Sequence, residues 1–212
     1  MADHVTTIKE TVIKGKHKAI EELVNAAIAD GEDLHRLIND ALISAMDVVG
    51  TRFGNGEIFV PEMLVAALAM KKGLDLIKPR LKGDRKSSGL IVIGTVKGDM
   101  HDIGKNLVSM MLEGAGFQVI DLGVNINVQI VVDKVQELNP QVLCLSTLLT
   151  ITMPEMERVI EELKARSLRD KVKVIVGGAP VDQRYAEKIG ADGYGKDAVE
   201  AVALARRLVA AG

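Results

Sequence analysis

The sequence predicts a fold in two parts: a four-helix bundle in residues 1–85, followed by a five-stranded parallel sheet with helices on both faces in residues 89–212. Three observations lead to this prediction. Apolar residues recur at spacings of three and four through the first third of the chain, as on one face of a helix. The segment 78–89 then turns polar and loses that period, which indicates a linker. Beyond it, short apolar runs alternate with amphipathic segments, a pattern typical of a parallel sheet covered by helices.

Apolar stripes predict the four helices of the bundle. A short helix lies near residues 5–13, and a second runs through Ile20 to Ile28 until Gly31 ends it. Asp33 caps the third helix, and Pro61 suits the first turn of the fourth. The core-facing positions of the third helix are Leu34, Leu37, Ile38, Ala41, Leu42, Ala45, Met46 and Val49, and those of the fourth are Val60, Met63, Ala67, Met70, Leu74 and Ile77.

The second part alternates strands with helices. The predicted strands are 90–96, 118–122, 142–146, 172–176 and a short 193–194. The predicted helices are 104–113, 127–138, 154–166, 182–189 and 197–210. All crossovers between the strands are therefore long enough for a parallel sheet.

Composition narrows the classes of function and compartment. Aromatic residues make up 2% of the chain and the net charge is −2, so stacking side chains and a basic surface for nucleic acid are both lacking. The single cysteine, Cys144, excludes an intramolecular disulfide and fits a reducing compartment. No apolar run approaches the roughly 20 residues of a membrane span. We therefore expect a cytoplasmic protein that binds neither nucleic acid nor membrane.

Polar residues and glycines follow three of the predicted strands. In an open parallel sheet, ligands bind at the carboxyl ends of the strands. The segments found there are Asp99-Met100-His101-Asp102-Ile103-Gly104, Ser146-Thr147-Leu148-Leu149-Thr150-Ile151-Thr152 and Gly177-Gly178-Ala179-Pro180. These three loops are expected to line one crevice.

His101 has two readings. In one, it ligates a metal while Asp99 accepts a hydrogen bond from its other ring nitrogen. In the other, Asp99 or Asp102 only caps the following helix, and Gly104 allows that helix to pack closely on the sheet. One histidine without neighbouring Cys or His cannot form a tetrahedral zinc site. A metal on His101 would need most of its ligands from a macrocycle, as in haem proteins.

Together these motifs resemble those of a known family. Asp99-x-His101-x-x-Gly104, Ser146-x-Leu148 and Gly177-Gly178 occur in the order found in cobalamin-binding (corrinoid) proteins. The chain most resembles the small corrinoid subunits of methyltransferase systems, over nearly its whole length and including the helical bundle. The resemblance implies a flavodoxin-like (Rossmann-like) sheet and a bound corrinoid.

The resemblance also implies roles for individual residues. His101 would replace the cofactor's own base as the axial ligand of cobalt, Asp99 would hold His101, and Thr152 would complete the relay. Ser146 and Thr150 would contact the displaced nucleotide tail, and Gly104, Gly177 and Gly178 would allow close approach. The loop residues Met100, Asp102, Ile103 and Leu148 complete the expected contacts. In the bundle, Phe59 and Met63 would shield a methyl group on the upper face, although a methionine at helical spacing also suits a core position.

The expected function is that of a methyl carrier that alternates between cob(I)amide and methyl-cob(III)amide. A substrate-specific methyltransferase would load the methyl group from a methylamine, methanol, a betaine or an aryl methyl ether. A second methyltransferase would pass it to tetrahydrofolate or coenzyme M, and a reductive activase would restore the reduced cofactor. Two alternatives are the small subunit of an adenosylcobalamin-dependent mutase and a cobalamin-dependent sensor or regulator. The mutase subunit normally lacks such a bundle, and the regulator normally carries a DNA-binding module.

Overall fold

The structure, a computed structural model, describes residues 3–80 and 88–210. The chain divides into two compact units, Met1–Lys86 with Glu113–Gly116 and Ser87–Leu112 with Phe117–Gly212. The predicted fold class, a helical bundle followed by a five-stranded parallel sheet with helices, is confirmed. Most of the predicted linker, 81–87, lies outside the described residues, so the domain limits at 85 and 89 stay a prediction.

The described residues of the first unit form helices joined by short turns. Its helices are α1 (His4–Ile13), α2 (Ile20–Ala29), α3 (Leu34–Arg36), α4 (Ser44–Gly54) and α5 (Val60–Ile77), with a π-helical segment Leu37–Ile43 joining α3 to α4. A short 3-10 turn, Lys78–Arg80, follows α5. Asp3 and Asp33 cap α1 and α3, because each carboxylate accepts a hydrogen bond from the amide three residues later.

The core-facing positions predicted for the third and fourth helices are buried with two exceptions. Leu34 is only half-buried, and Val60 is exposed because it forms the first residue of α5, where the helix meets solvent. The π-helical segment was not predicted. Its apolar residues still face the core, since a wider turn changes the hydrogen-bond spacing without removing the stripe from one side.

The second unit alternates strands and helices. The strands are β1 (Leu90–Thr95), β2 (Gln118–Asp121), β3 (Val142–Ser146), β4 (Lys173–Gly177) and β5 (Gly193–Gly195). The helices are α6 (Ile103–Gly114), α7 (Val128–Leu138), α8 (Pro154–Ala165), α9 (Gln183–Ile189) and α10 (Ala198–Ala210). The predicted and observed limits of these elements are identical or differ by one residue, because the hydrophobic pattern fades at the last turn or strand residue.

All strands are parallel, and their order is β2-β1-β3-β4-β5. The chain reverses its direction of winding between β1 and β3, and the carboxyl ends of these strands border the crevice where such sheets bind ligands. Register places Thr95 beside Ser146 and Ser146 beside Gly177. The three loops singled out in the sequence therefore leave the sheet at one level.

Val, Leu and Ile side chains of β1, β3 and β4 form the centre of the core between the two helical layers. Within residues 3–80 and 88–210, no helix combines the length and apolar character needed to cross a bilayer.

Candidate functional site

The site is built around a buried carboxylate, Asp99, in the loop after β1. This side chain has no accessible surface. Its Oδ1 accepts a hydrogen bond of 2.9 Å from the His101 amide. Its Oδ2 faces the loop after β3 and accepts bonds of 2.6 Å from the Leu148 amide and 2.9 Å from the Thr147 hydroxyl. Asp99 therefore joins the two loops rather than capping α6, which excludes that alternative for this residue.

These donors keep Asp99 ionised. Burial by itself raises the pKa of the carboxyl, but hydrogen bonds from the amides of His101 and Leu148, the His101 imidazole and the Thr147 hydroxyl outweigh it. They hold the pKa of Asp99 well below its ordinary range. A buried negative charge is thus present at neutral pH, and it is satisfied entirely by protein donors.

His101 presents one ring nitrogen to this charge and the other outward. Its Nδ1 lies 2.7 Å from Asp99 Oδ1, and because an ionised carboxylate only accepts hydrogen bonds, Nδ1 carries the proton. The lone pair of the neutral ring is therefore on Nε2. The side chain is 52% exposed, and no hydrogen bond to Nε2 is found among the described residues. The lone pair of Nε2 is therefore free and the ring is exposed, as a metal ligand requires.

Other contacts fix the loop that carries Asp99 and His101. Thr95, the last residue of β1, donates its hydroxyl hydrogen to the His101 carbonyl at 2.9 Å. In the loop after β2, the side-chain oxygen of Asn125 accepts a hydrogen bond of 2.8 Å from the Gly98 amide, and its backbone N–H donates one of 2.9 Å to the Asp99 carbonyl. Thr95 and Asn125 were not predicted as site residues, because nothing in their local spacing indicates a contact between loops.

A buried lysine holds the first turn of α6. Lys105 forms an ion pair with Asp121 at the end of β2, and it donates a hydrogen bond of 2.6 Å to the Asn106 side chain. Because α6 begins two residues after His101, this pair limits the movement of the whole loop.

The surface around His101 is apolar. Four large hydrophobic side chains of the two loops are exposed: Met100 (67%), Ile103 (81%), Leu148 (44%) and Ile151 (81%). Several large apolar side chains exposed together at the carboxyl edge of a parallel sheet make these loops a candidate binding surface. Ile151 was missed in the sequence, where it resembles an ordinary core residue between two threonines.

The three predicted close-approach glycines have different surroundings. A Cβ on Gly104 would meet no atom within 4 Å, so this glycine leaves open space and does not serve helix packing. A Cβ on Gly178, whose φ is +120°, would overlap the Thr147 carbonyl, and one on Gly177 would lie 2.8 Å from the Gly195 carbonyl oxygen. Contacts within the protein therefore also require a glycine at 177 and at 178, and the role of both in close approach of a ligand stays a prediction.

The remaining predicted residues differ in their availability. Ser146 is half-buried and Thr150 exposed, and neither hydroxyl has a hydrogen-bond partner in the described part of the chain. The Asp102 carboxylate is exposed and accepts a bond of 3.1 Å from the Asn106 side chain. Thr152 is buried, and its hydroxyl lies 3.3 Å from Asp99 Oδ2. Thr147, to which the sequence assigned no role, makes the shorter contact with this oxygen, at 2.9 Å.

Phe59 and Met63 of the helical unit do not share one environment. Phe59 precedes α5 and is 71% exposed, whereas Met63 has no accessible surface. Of the two, only Phe59 offers surface to a ligand; Met63 occupies the core position that its helical spacing also allowed.

Comparison with known proteins agrees with this site. Residues 89–203 match the family described as B12 binding domain, and residues 5–78 match a second family of the same description. A trimethylamine corrinoid protein from Methanosarcina barkeri is 45% identical over 202 residues, which cover 94% of this chain and 93% of the relative. A dimethylamine corrinoid protein from the same organism is 42% identical and covers 99% and 96% of the two chains.

Solved structures give the same result. A cobalamin-binding protein from Desulfitobacterium hafniense DCB-2 is 35% identical, with a TM-score of 0.80 over 96% of this chain and 98% of that one. The methanol:cobalamin methyltransferase complex from Methanosarcina barkeri contains a chain that is 31% identical, with a TM-score of 0.91 over 100% of this chain and 81% of that one. These relationships show that the chain belongs to the family of B12-binding corrinoid proteins, and its buried Asp99 and outward-facing His101 agree with that.

Proposed function

We propose that this protein is a corrinoid methyl carrier in which Nε2 of His101 would ligate the cobalt. The observation that carries the proposal is the pair formed by His101 and Asp99. A buried, ionised carboxylate 2.7 Å from Nδ1 selects the ring tautomer whose free lone pair is on the half-exposed Nε2.

The surroundings of His101 suit a large, mainly apolar ring. The exposed side chains of Met100, Ile103, Leu148 and Ile151 supply apolar surface on both loops. Gly104 leaves space at the start of α6. The unpartnered hydroxyls of Ser146 and Thr150 are available for polar groups of the nucleotide tail, as the resemblance implies.

When bound, the corrinoid would supply the nucleophilic cobalt that accepts and donates a methyl group. His101 would ligate that cobalt through Nε2, and Asp99 would keep the ring in its tautomer and orientation. The exposed side chains of Met100, Ile103, Leu148 and Ile151 would exclude water, and we assign the exposed aromatic surface of Phe59 to shielding the methyl group. Because the cofactor would perform the chemistry of the transfer, the partners would determine the substrates.

The names of the relatives favour a methylamine as the methyl donor, since two of them are corrinoid proteins for trimethylamine and dimethylamine. The loading partner is then a methylamine-specific methyltransferase. A second methyltransferase acting on tetrahydrofolate or coenzyme M and a reductive activase complete the proposed system, which we place in the cytoplasm.

Anaerobic reconstitution with hydroxocobalamin, followed by a visible spectrum, tests the ligand. The wild type should retain the corrinoid with histidine on cobalt, and His101→Ala should give a spectrum without that ligand. His35→Ala, a change at an exposed histidine of the helical unit, is the matched control and should behave as the wild type. A wild type that retains no corrinoid would refute the proposed function, and an unchanged His101→Ala spectrum would refute the ligand.

The methyl donor can be tested by purification of the protein from its native cells and identification of the methyltransferase that binds it. Recovery of a methylamine methyltransferase, together with methylation of the reduced holoprotein by that enzyme, supports the assignment. Loading by a methanol, betaine or aryl ether methyltransferase alone would contradict it.

A further inference from the structure

Two threonine hydroxyls face the side of Asp99 opposite His101, and they are not equivalent. Thr147 Oγ1 lies 2.9 Å from Asp99 Oδ2, whereas Thr152 Oγ1 lies 3.3 Å from the same atom. The two hydroxyl oxygens are 2.5 Å apart. Both side chains are almost completely buried, so water competes little for these contacts.

The number of hydroxyl protons decides which contacts form together. Each hydroxyl carries one proton, and a separation of 2.5 Å between their oxygens requires a proton between them. If Thr147 donates to Asp99, Thr152 must donate to Thr147. If Thr147 instead donates to Thr152, Thr152 donates either to the Leu149 carbonyl at 2.9 Å or to Asp99 Oδ2 at 3.3 Å. The first arrangement is favoured because it gives the ionised carboxylate the shorter bond, 2.9 Å, and hydrogen bonds to charged acceptors are the stronger ones.

We propose that Thr147 is the positioning residue that holds Asp99 directly and that Thr152 acts on Asp99 through Thr147. The order of the relay is then His101, Asp99, Thr147, Thr152. Thr147 and the Leu148 amide hold Oδ2, which turns Oδ1 toward Nδ1 of His101. The role of this relay in metal ligation rests on the proposed function, but the relay itself is a property of the protein alone.

Matched substitutions isolate each hydroxyl. Thr147→Val is unsuitable, because it would place a methyl group against the Asp99 carboxylate. Thr147→Ala is therefore compared with Thr147→Ser, and Thr152→Ala with Thr152→Ser. Each pair lacks the threonine methyl group, and its two members differ by one hydroxyl. The serine variants keep the relay and show whether the lost methyl group alone disturbs the fold.

In the protein without corrinoid, the ring nitrogens of His101 can be followed by nitrogen-15 NMR at a pH where the imidazole is neutral. Its signals are assigned from their loss in His101→Gln. We expect the wild type and Thr147→Ser to hold the proton on Nδ1. Thr147→Ala should shift the ratio of the two tautomers toward the Nε2–H form by about tenfold, and Thr152→Ala by less than about threefold.

In the protein reconstituted with hydroxocobalamin, the visible spectrum should show the same order: a larger loss of the histidine-ligated form in Thr147→Ala than in Thr152→Ala, with serine restoring it. An effect of Thr152→Ala that equals or exceeds that of Thr147→Ala, or a Thr147→Ala variant that matches Thr147→Ser, would overturn the proposal. If the wild type binds no corrinoid, the proposed function fails, whereas the NMR measurement still decides the relay. If Thr147→Ala does not fold, Thr147→Cys against Thr147→Ser gives the comparison, because the thiol keeps a side chain of similar shape but is a weak donor.

Discussion

Replacement of Asp99 by asparagine removes one negative charge from the centre of the site while the side chain keeps its size. The carboxylate accepts hydrogen bonds on both oxygens: from the amide and imidazole of His101 on Oδ1, and from Thr147 and the Leu148 amide on Oδ2. An asparagine side chain has only one accepting oxygen, and its NH₂ group donates. Either orientation therefore points NH₂ at a backbone N–H.

The two orientations have different costs. With NH₂ toward Leu148, the closest bond, 2.6 Å, is lost. With NH₂ toward His101, the His101 amide loses its acceptor, and the ring accepts on Nδ1 only by moving its proton to Nε2, where it blocks metal ligation. One unmade buried hydrogen bond costs about 1–3 kcal/mol, and bonds to charged groups contribute about 1.5–3 kcal/mol. We expect the free energy of unfolding to fall by about 2–4 kcal/mol.

Urea unfolding of the protein without corrinoid measures this loss. The chain has no Trp, and both of its tyrosines, Tyr185 and Tyr194, lie in the sheet unit, so tyrosine fluorescence reports that unit separately. Asp102→Asn is the control: its exposed carboxylate should contribute less than about 0.5 kcal/mol. A loss below about 1 kcal/mol for Asp99→Asn, well under one buried charge-assisted bond, would refute the reasoning.

Three further predictions concern the same loops and the helical unit. Folding lowers the pKa of Asp99 from its ordinary value of 3.8, so the ionised carboxylate stabilises the folded protein fully above that pH and progressively less below it. Between about pH 6 and 3, the free energy of unfolding should therefore fall more for the wild type than for Asp99→Asn. Equal losses would contradict this expectation. Gly178→Ala should lower the Tm sharply because its Cβ would overlap the Thr147 carbonyl, whereas Gly104→Ala should leave the Tm unchanged or raise it while weakening corrinoid retention; equal Tm values for the two variants would be inconsistent with these environments. Phe59→Ala should speed the net loss of methyl on photolysis of the methylated holoprotein, and an unchanged rate would remove Phe59 from the shielding role.

Much of the fold could be predicted because its signals are local. The spacing of apolar residues distinguishes helix from strand within one segment, and alternation of the two indicates a parallel sheet. The site could be located for a related reason. Loops after parallel strands meet at one edge of the sheet, so the proximity of Asp99, His101 and Ser146 could be predicted from the sequence alone. The π-helical turn of Leu37–Ile43 escaped prediction because α- and π-helical segments share the same apolar face.

Predictions for individual side chains depended on contacts between distant segments, and these were less complete. Thr152 was expected beside Asp99 and lies there, but Thr147 makes the shorter hydrogen bond, because the conformation of the turn after β3 decides which of the two hydroxyls lies nearer to Asp99. Gly178 was assigned to ligand approach, yet the neighbouring Thr147 carbonyl already requires a glycine there. Met63 shares a helix start with Phe59 but is buried, a difference that helical spacing alone left open.

By itself, the sequence determined the two-part architecture and the order of strands and helices, because these follow from periodicity along the chain, and it offered the pairing of His101 with Asp99 as one of two possibilities. Only the tertiary structure decided which nitrogen of His101 faces outward, which hydroxyls hold Asp99, and that Ile103 and Ile151 form an exposed apolar rim. The physical reason is that the register of β1 against β3, together with the turns that follow, sets these distances across about 50 residues of chain.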